Sequence, residues 1–305
     1  MKSKKRGSKK KSKVKRLKHN SKAKHKIHRT KHKTNRIKTK KHKLRPFPDQ
    51  ESSRKYLHDL KQSKKPSNSS ENQELQFMLK SIEFNNPGIS YRIIEAFKMI
   101  DRKIFVRHNS YEDMPVHIAH GQTISQPTTV ARMLRLLNLQ PEQDILEIGT
   151  NTGYHAALTA WLVSPGNVTT IEIFPDLAHN ARINLKKLNH ELEQKKIKKK
   201  IHVQVFTGDA LQQYQEIWYK KYDRVYYTGS LGVEKIGLIK HLANKTLREN
   251  GLLLFPSKEK VDYGGLELWQ KQKNKLVLIK REPGYSFVPI VRQKDIEDIY
   301  KKLNE

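Results

Sequence analysis

The chain has 305 residues, 35 % of them hydrophobic, no cysteine, and a formal net charge of +32. That length allows one or two domains with a sizeable core, and the lack of cysteine excludes disulfides, cysteine nucleophiles and thiolate metal sites. No apolar run approaches the roughly 18 residues that span a bilayer, and no apolar segment follows the basic start as in a secretory signal, so a soluble cytoplasmic protein is expected.

The charge is concentrated at one end. Residues 1–45 hold 23 Lys and Arg and no Asp or Glu, which leaves only +9 of the +32 to the rest of the chain. The apolar residues there (Val14, Leu17, Ile27, Ile37, Leu44) are too sparse to offset the ordering entropy, so a disordered polycationic tail is predicted. Five histidines (His19, His25, His28, His32, His42) alternate with lysines. The lysines repel a cation, so these histidines read as part of a solvated tail rather than a metal tract. Each Lys or Arg that meets a phosphate releases counterions, so non-specific binding of nucleic acid or another polyanion is expected here. Residues 1–45 contain no aromatic residue to stack on bases. A Pro- and Ser-containing linker is predicted from Pro46 to Ser70, and a folded domain over residues 71–305.

Within the domain, strand-like apolar runs alternate with amphipathic helical stretches, the pattern of an α/β fold with a doubly wound, mostly parallel sheet flanked by helices. Residues 90–99 read as a helix from the spacing of Ile93, Ile94 and Phe97. A second helix follows Pro127, with Val130, Met133, Leu134 and Leu137 on one face. Asp144–Ile148 reads as a strand, Tyr154–Val163 as a helix, and Asn167–Ile173 as the next strand. Pro175 opens a helix with Leu177, Ala181, Leu185 and Leu188 on one face. Further strands are expected at His202–Phe206, Arg224–Thr228, Leu252–Phe255, Leu266–Gln270, Leu276–Ile279 and Phe287–Val291. The lysine run Lys195–Lys200 is expected to close a helix C-terminus, where cations suit the dipole.

The chemistry gathers at strand ends. Glu147-Ile-Gly-Thr-Asn-Thr-Gly153 lies between a strand and a helix, and in a doubly wound sheet ligands bind at the carboxyl ends of the strands where the strand order reverses. Gly149 and Gly153 permit a sharp turn and close backbone approach, and Thr150 lies between them. Glu172 ends the second strand, where a carboxylate can accept both ribose hydroxyls. Asp209, followed by Ala210, ends the third strand and can hold an adenine amino group. The stretch lacks the full G-x-G-x-x-G loop and a G-K-[ST] sequence. An adenosine ligand without pyrophosphate fits best, which points to S-adenosylmethionine rather than NAD or ATP.

Gly121-Gln-Thr-Ile-Ser-Gln-Pro127 resembles the signature of the protein-L-isoaspartate (D-aspartate) O-methyltransferases, a family of class I S-adenosylmethionine-dependent methyltransferases. Ile93–Phe97, Arg102–Val106, Tyr111-Glu-Asp113, Leu146–Gly149, Gly208-Asp209, Tyr222–Val225, Asn250-Gly251 and Phe287-Val-Pro289 resemble further family segments in order and spacing, covering roughly residues 88–291. The resemblance implies a Rossmann-like methyltransferase that methylates the free carboxylate of L-isoaspartyl residues in damaged proteins or peptides and initiates repair through a succinimide. It also implies that Ser125 matches the family's active-site serine, that Thr123 and Ile124 belong to the same cofactor- and substrate-contacting segment, and that Glu147, Glu172 and Asp209 match its cofactor-binding acids. A carboxylate is already nucleophilic and a sulfonium already activated, so alignment and water exclusion suffice, and Ser125 would orient the carboxylate. As a structural alternative, Ser125 caps the helix that begins at Pro127. His120 reads as a loop residue.

Asn151 stands where the family usually has glycine, and Asn tolerates positive φ. Thr228-Gly-Ser-Leu-Gly-Val233 replaces part of a small-residue run. Three readings therefore stand at this stage. The first is an isoaspartyl methyltransferase localised by its tail. The second is a related methyltransferase acting on a dedicated peptide Asp or on nucleic acid. The third is an inactive methyltransferase fold serving as a polyanion-binding module.

Overall fold

The computed structural model describes residues 70–212, 216–258 and 264–303. The basic tail expected over residues 1–45 lies outside the described residues, and so does the linker expected over 46–70 apart from Ser70, which begins the first helix.

Two helices open the domain, α1 (Ser70–Asn85) and α2 (Tyr91–Met99). The Ser90 hydroxyl caps α2 by accepting the Arg92 amide at 3.3 Å, and the helix buries Ile93, Ile94, Ala96 and Phe97. A short hairpin follows, β1 (Val116–His117) with β2 (Thr123–Ile124), paired antiparallel. Helix α3 (Pro127–Leu137) starts on a proline at its first turn and stops at Asn138, whose φ of 46° is left-handed. Asn adopts that conformation more readily than most residues, which suits it to a helix end.

The main sheet is built from β3 (Asp144–Ile148), β4 (Asn167–Glu172), β5 (Val203–Thr207), β6 (Tyr222–Tyr227), β7 (Leu247–Ser257), β8 (Gly265–Gln272) and β9 (Lys275–Pro283). Helices α4 (Tyr154–Val163), α5 (Pro175–Gln194) and α6 (Val233–Thr246) connect the parallel strands, and α7 (Gln293–Leu303) closes the described chain. The spatial order is β5-β4-β3-β6-β7-β8-β9. The first five are mutually parallel, and β8 and β9 join as an antiparallel meander. The chain winds outward from β3 through β4 to β5, then returns to the other side of β3 with β6. The reversal opens a crevice at the carboxyl ends of β3 and β6, where such sheets bind ligands.

Alternation along the strands feeds two cores. Ile145, Val168, Tyr226 and Leu254 pack with α1 to α5, whereas Leu146, Ile148, Val225, Tyr227 and Phe255 pack on the opposite face with α6. Every residue of α4 is buried, because the helix lies between the sheet and the opening helices. That explains its largely apolar composition, which carries no amphipathic stripe.

Two elements differ from the sequence expectation. Phe287–Val291 forms no sheet strand. It runs extended beside Ser230, with the Ser230 amide donating to the Val288 carbonyl at 2.8 Å and the Ile290 amide donating to the Ser230 carbonyl at 2.9 Å. Pro289 lacks the amide that a continuous ladder needs, so pairing stops at one bridge. The lysine run also lies largely outside its helix. α5 ends at Gln194, Lys195 is the cap, and Lys196 turns the chain away at φ 54°.

Candidate active site

The carboxyl ends of β3, β4 and β5 open into one cleft of about 810 Å³, counting space open to solvent. Of the residues expected from sequence, Thr123, Ile124, Ser125, Gly149, Thr150, Glu172, Asp209 and Ala210 line it. Glu147 and Gly153 lie behind the wall.

The floor is the turn after β3. Gly149 has φ 95°, and a Cβ there would sit 2.3 Å from the Thr228 hydroxyl oxygen. Thr228 needs that closeness, since its hydroxyl donates to the Gly149 carbonyl at 2.6 Å. Asn151 adopts φ 57°, the positive value its residue type tolerates. It ties three segments together. Its amide donates to Glu172 Oε2 at 2.8 Å, its Nδ2 to the Thr123 carbonyl at 2.9 Å, and its Oδ1 accepts the Thr152 amide at 2.9 Å. Gly153, at φ 89°, starts α4 and packs against Ala181 and Leu185 of α5.

Two carboxylates face the cleft at adjacent strand ends. Burial pushes the Glu172 carboxyl up, and the amides of Asn151, Phe174 and Ile173 partly offset this by bonding the charged form. Asp209 Oδ1 accepts the Leu211 amide at 2.8 Å and Oδ2 the Gln293 amide at 3.1 Å, with Arg292 Nε 3.7 Å away. Each carboxylate keeps acceptor capacity for a ligand. Ile171, Ile173, Phe174 and Ala210 supply apolar surface between them.

Glu147 is fully buried. It pairs across the sheet with Thr170 and Tyr226, and both side chains hydrogen-bond it, at 2.7 and 2.5 Å. Thr170 in turn meets the Thr150 hydroxyl at 2.7 Å. Burial raises the Glu147 pKa to about 8. The network therefore holds the Thr150 turn from below.

Ser125 forms the opposite wall. Gln126 is the N-cap position of α3 and makes no side-chain cap. Asp113 does that work from a distance, accepting the Thr128 amide at 2.9 Å and the Gln126 Nε2 at 3.2 Å. Among the described residues nothing hydrogen-bonds the Ser125 hydroxyl. The Ser125 carbonyl is held by the buried Arg102, whose Nη2 donates to it at 3.2 Å while Nη1 donates to the Ser110 carbonyl at 2.8 Å.

Several lining residues were not singled out as ligand contacts from sequence: Gln122, Phe174, His155 and the Val288–Val291 segment. His155 Nε2 and Thr152 Oγ1 are buried without a partner, and burial lowers the His155 pKa to about 3, so this histidine is neutral. Unsatisfied buried groups in a cleft suit a polar ligand. His120 stacks on Phe174 with ring centroids 4.2 Å apart and meets Asp176 at 2.9 Å, so it bridges the hairpin to the start of α5. Two acids at strand ends, apolar surface between them and no phosphate cradle together fit S-adenosylmethionine.

The family model described as protein-L-isoaspartate(D-aspartate) O-methyltransferase matches residues 71–295. A Methanothrix thermoacetophila protein-L-isoaspartate O-methyltransferase is 33% identical over 217 residues, covering 70% of this chain and 93% of its own. The Ignicoccus hospitalis protein of the same name is 34% identical over 206 residues, covering 66% and 89%. In fold, the chain resembles a crystal structure from Plasmodium falciparum described as a protein-L-isoaspartate O-methyltransferase in complex with S-adenosyl-L-homocysteine. The TM-score is 0.61 at 22% identity, covering 71% of this chain and 97% of that one. On the match over residues 71–295 and the identity to full-length relatives, this chain belongs to the protein-L-isoaspartate (D-aspartate) O-methyltransferase family.

Proposed function

We infer that the chain transfers a methyl group from S-adenosylmethionine to the free carboxylate of L-isoaspartyl residues, and so initiates repair of damaged proteins and peptides through a succinimide. The observation that carries this reading is Ser125, whose hydroxyl is uncommitted within the cleft, opposite two strand-end acids. Bound S-adenosylmethionine supplies an electrophilic methyl on a sulfonium.

The protein's share is alignment. Glu172 accepts the ribose hydroxyls and Asp209 the adenine amino group. Gly149 and Thr150 bring backbone close to the ligand, with Ala210 and Phe174 against the base. Glu147 and Gly153 act from behind the wall, by holding Thr150 and by starting α4. Ser125 donates its hydroxyl hydrogen to the acceptor carboxylate, while Thr123 and Ile124 present extended backbone beside it. Holding oxygen and methyl in line contributes through lost translational and rotational freedom. The carboxylate needs no general base.

Methyl transfer from labelled S-adenosylmethionine to paired peptides that differ only in Asp against isoAsp tests this reading. Label on the isoAsp peptide alone is expected. Label on neither, with the cofactor still bound, overturns it.

Residues 1–45 extend the reading. Their 23 Lys and Arg without an acid support non-specific attachment to nucleic acid or another polyanion, which would localise the enzyme. Deleting residues 1–45 is expected to remove most binding of duplex DNA while sparing methylation of a short isoAsp peptide. Loss of both would assign the tail to the active site.

A further inference from the structure

The amino-terminal ends of the same parallel strands, opposite the cofactor cleft, form a second groove. Asn167 of β4, His202 and Gln204 at β5, Lys220 and Lys221 before β6, and Arg248 of β7 line it. Lys245 adjoins it through its carbonyl, which accepts from the Lys221 ammonium at 2.5 Å, and Lys200 precedes the lining residue His202 by two positions in the chain.

Cations outnumber acids here. Asp144, which lines the groove, and Asp223 share Arg248 at 2.8 and 2.7 Å, which leaves one carboxylate charge for the lysines to outweigh. The Glu249 carboxylate accepts the Lys273 amide. Lys220 donates to the neutral Gln204 Oε1 at 3.2 Å. Among the described residues no carboxylate lies within ion-pair distance of Lys220, Lys221 or Lys245, and Lys200 reaches Glu193 only at 3.9 Å. The loop entering β5 adds Lys195, Lys196 and Lys198, all exposed. Beside Lys220, the Tyr219 ring is 75% exposed.

We propose that this groove binds a single strand of nucleic acid, with its lysines on the phosphates and Tyr219 stacked against a base. The site is built from residues of the folded domain other than those that line the methyl-transfer cleft. Five strands from β5 to β7 span about 19 Å at ~4.8 Å per strand spacing. Each strand of a duplex presents a phosphate about every 3.4 Å of axis, and an extended unpaired strand spaces them more widely, so the groove can face a few. An exposed aromatic residue next in the chain to a groove lysine suits the stacking that holds unpaired bases without sequence preference. No exposed aliphatic side chain lines the groove to enter a lipid surface. Because the groove and the cleft lie at opposite ends of the strands, a bound strand leaves the cleft open to peptide.

The test uses the full chain and a mixed-sequence 20-nucleotide single-stranded DNA, titrated by fluorescence anisotropy across a salt series. One variant carries Lys200→Gln, Lys220→Gln, Lys221→Gln and Lys245→Gln. A control carries Lys80→Gln, Lys98→Gln, Lys258→Gln and Lys301→Gln. The tail is common to all three proteins. The groove variant is expected to lose about 3 from the slope of log affinity against log salt, at ~0.7 per phosphate contact, and the control less than 1. Tyr219→Ala is expected to weaken binding several-fold. Methylation of an isoAsp peptide stays unchanged in every variant and reports an intact fold. Equal slopes for groove variant and control overturn the proposal. Wild-type binding to phosphatidylserine vesicles that the groove substitutions abolish, with oligonucleotide binding retained, also overturns it and assigns the groove to a membrane surface.

Discussion

Glu147 and Tyr226 stand opposite each other on adjacent parallel strands, and the tyrosine hydroxyl lies 2.5 Å from Glu147 Oε2. Tyr226 also meets Thr159 of the buried helix α4 at 2.9 Å. An acid from the sequence motif is thereby built into the core rather than into the cleft wall. Its raised pKa, about 8, means that the folded state binds a proton the unfolded chain releases near 4.5. The contribution of this group to stability is fully present below pH 4.5 and is lost as the pH rises through 8. Glu147→Gln keeps a neutral group of the same shape. Thermal unfolding followed from pH 5 to 9 is expected to show a smaller alkaline loss in the variant, with S-adenosylmethionine affinity within a few-fold of wild type. Identical pH profiles would remove Glu147 from this role.

His155 acts in the opposite direction. Burial lowers its pKa to about 3, so folding favours the neutral form. Stability from this group is present above pH 6.5 and is lost as the pH falls toward 3. His155→Gln is expected to flatten the acid limb of the same unfolding series while leaving the alkaline limb alone. An unchanged acid limb contradicts the burial argument.

Ser125→Ala is expected to lower methyl transfer at least tenfold, about 1.4 kcal/mol of barrier, with cofactor affinity nearly unchanged. Asp113 already caps α3, so helix stability should stay within about 0.5 kcal/mol. Calorimetric cofactor binding beside peptide turnover separates the two roles. A parallel fall in both would mark the serine as structural.

Glu172→Ala is expected to weaken S-adenosylmethionine binding by about 1–3 kcal/mol, the scale of hydrogen bonds to a charged group. The substitution also frees the Asn151 and Phe174 amides. Glu172→Gln retains an acceptor for one of them and should fall between wild type and the alanine variant. Isothermal titration checks the order, and equal affinities across the three proteins would take Glu172 out of the site.

Arg102 is fully buried, lies over the Tyr154 ring at 5.7 Å and holds the Ser125 carbonyl. Arg102→Met is expected to destabilise the fold by roughly 2–4 kcal/mol, since the Asn109, Ser110 and Ser125 carbonyls lose their donor. In the folded fraction kcat should fall more than cofactor affinity. Denaturant unfolding and single-turnover rates measure the two effects.

The order of elements was legible because each depends on neighbours in the chain. The strand Asp144–Ile148 and the helix Tyr154–Val163 fall where the apolar runs lie, and helices α3 and α5 begin at Pro127 and Pro175. The motif around Gly149 and the acids Glu172 and Asp209 were readable for the same reason, since strand ends followed by a glycine or a helix start are local signals. The tertiary structure alone decided three things. It put Glu147 under the floor, because cross-strand register pairs it with Thr170 and Tyr226. It assigned the α3 cap to Asp113, fifteen residues from the amide it accepts. It turned Phe287–Val291 from an expected strand into a cleft wall beside Ser230. Each depends on groups brought together from distant parts of the chain, and neither composition nor periodicity encodes which side chain will stand across from which.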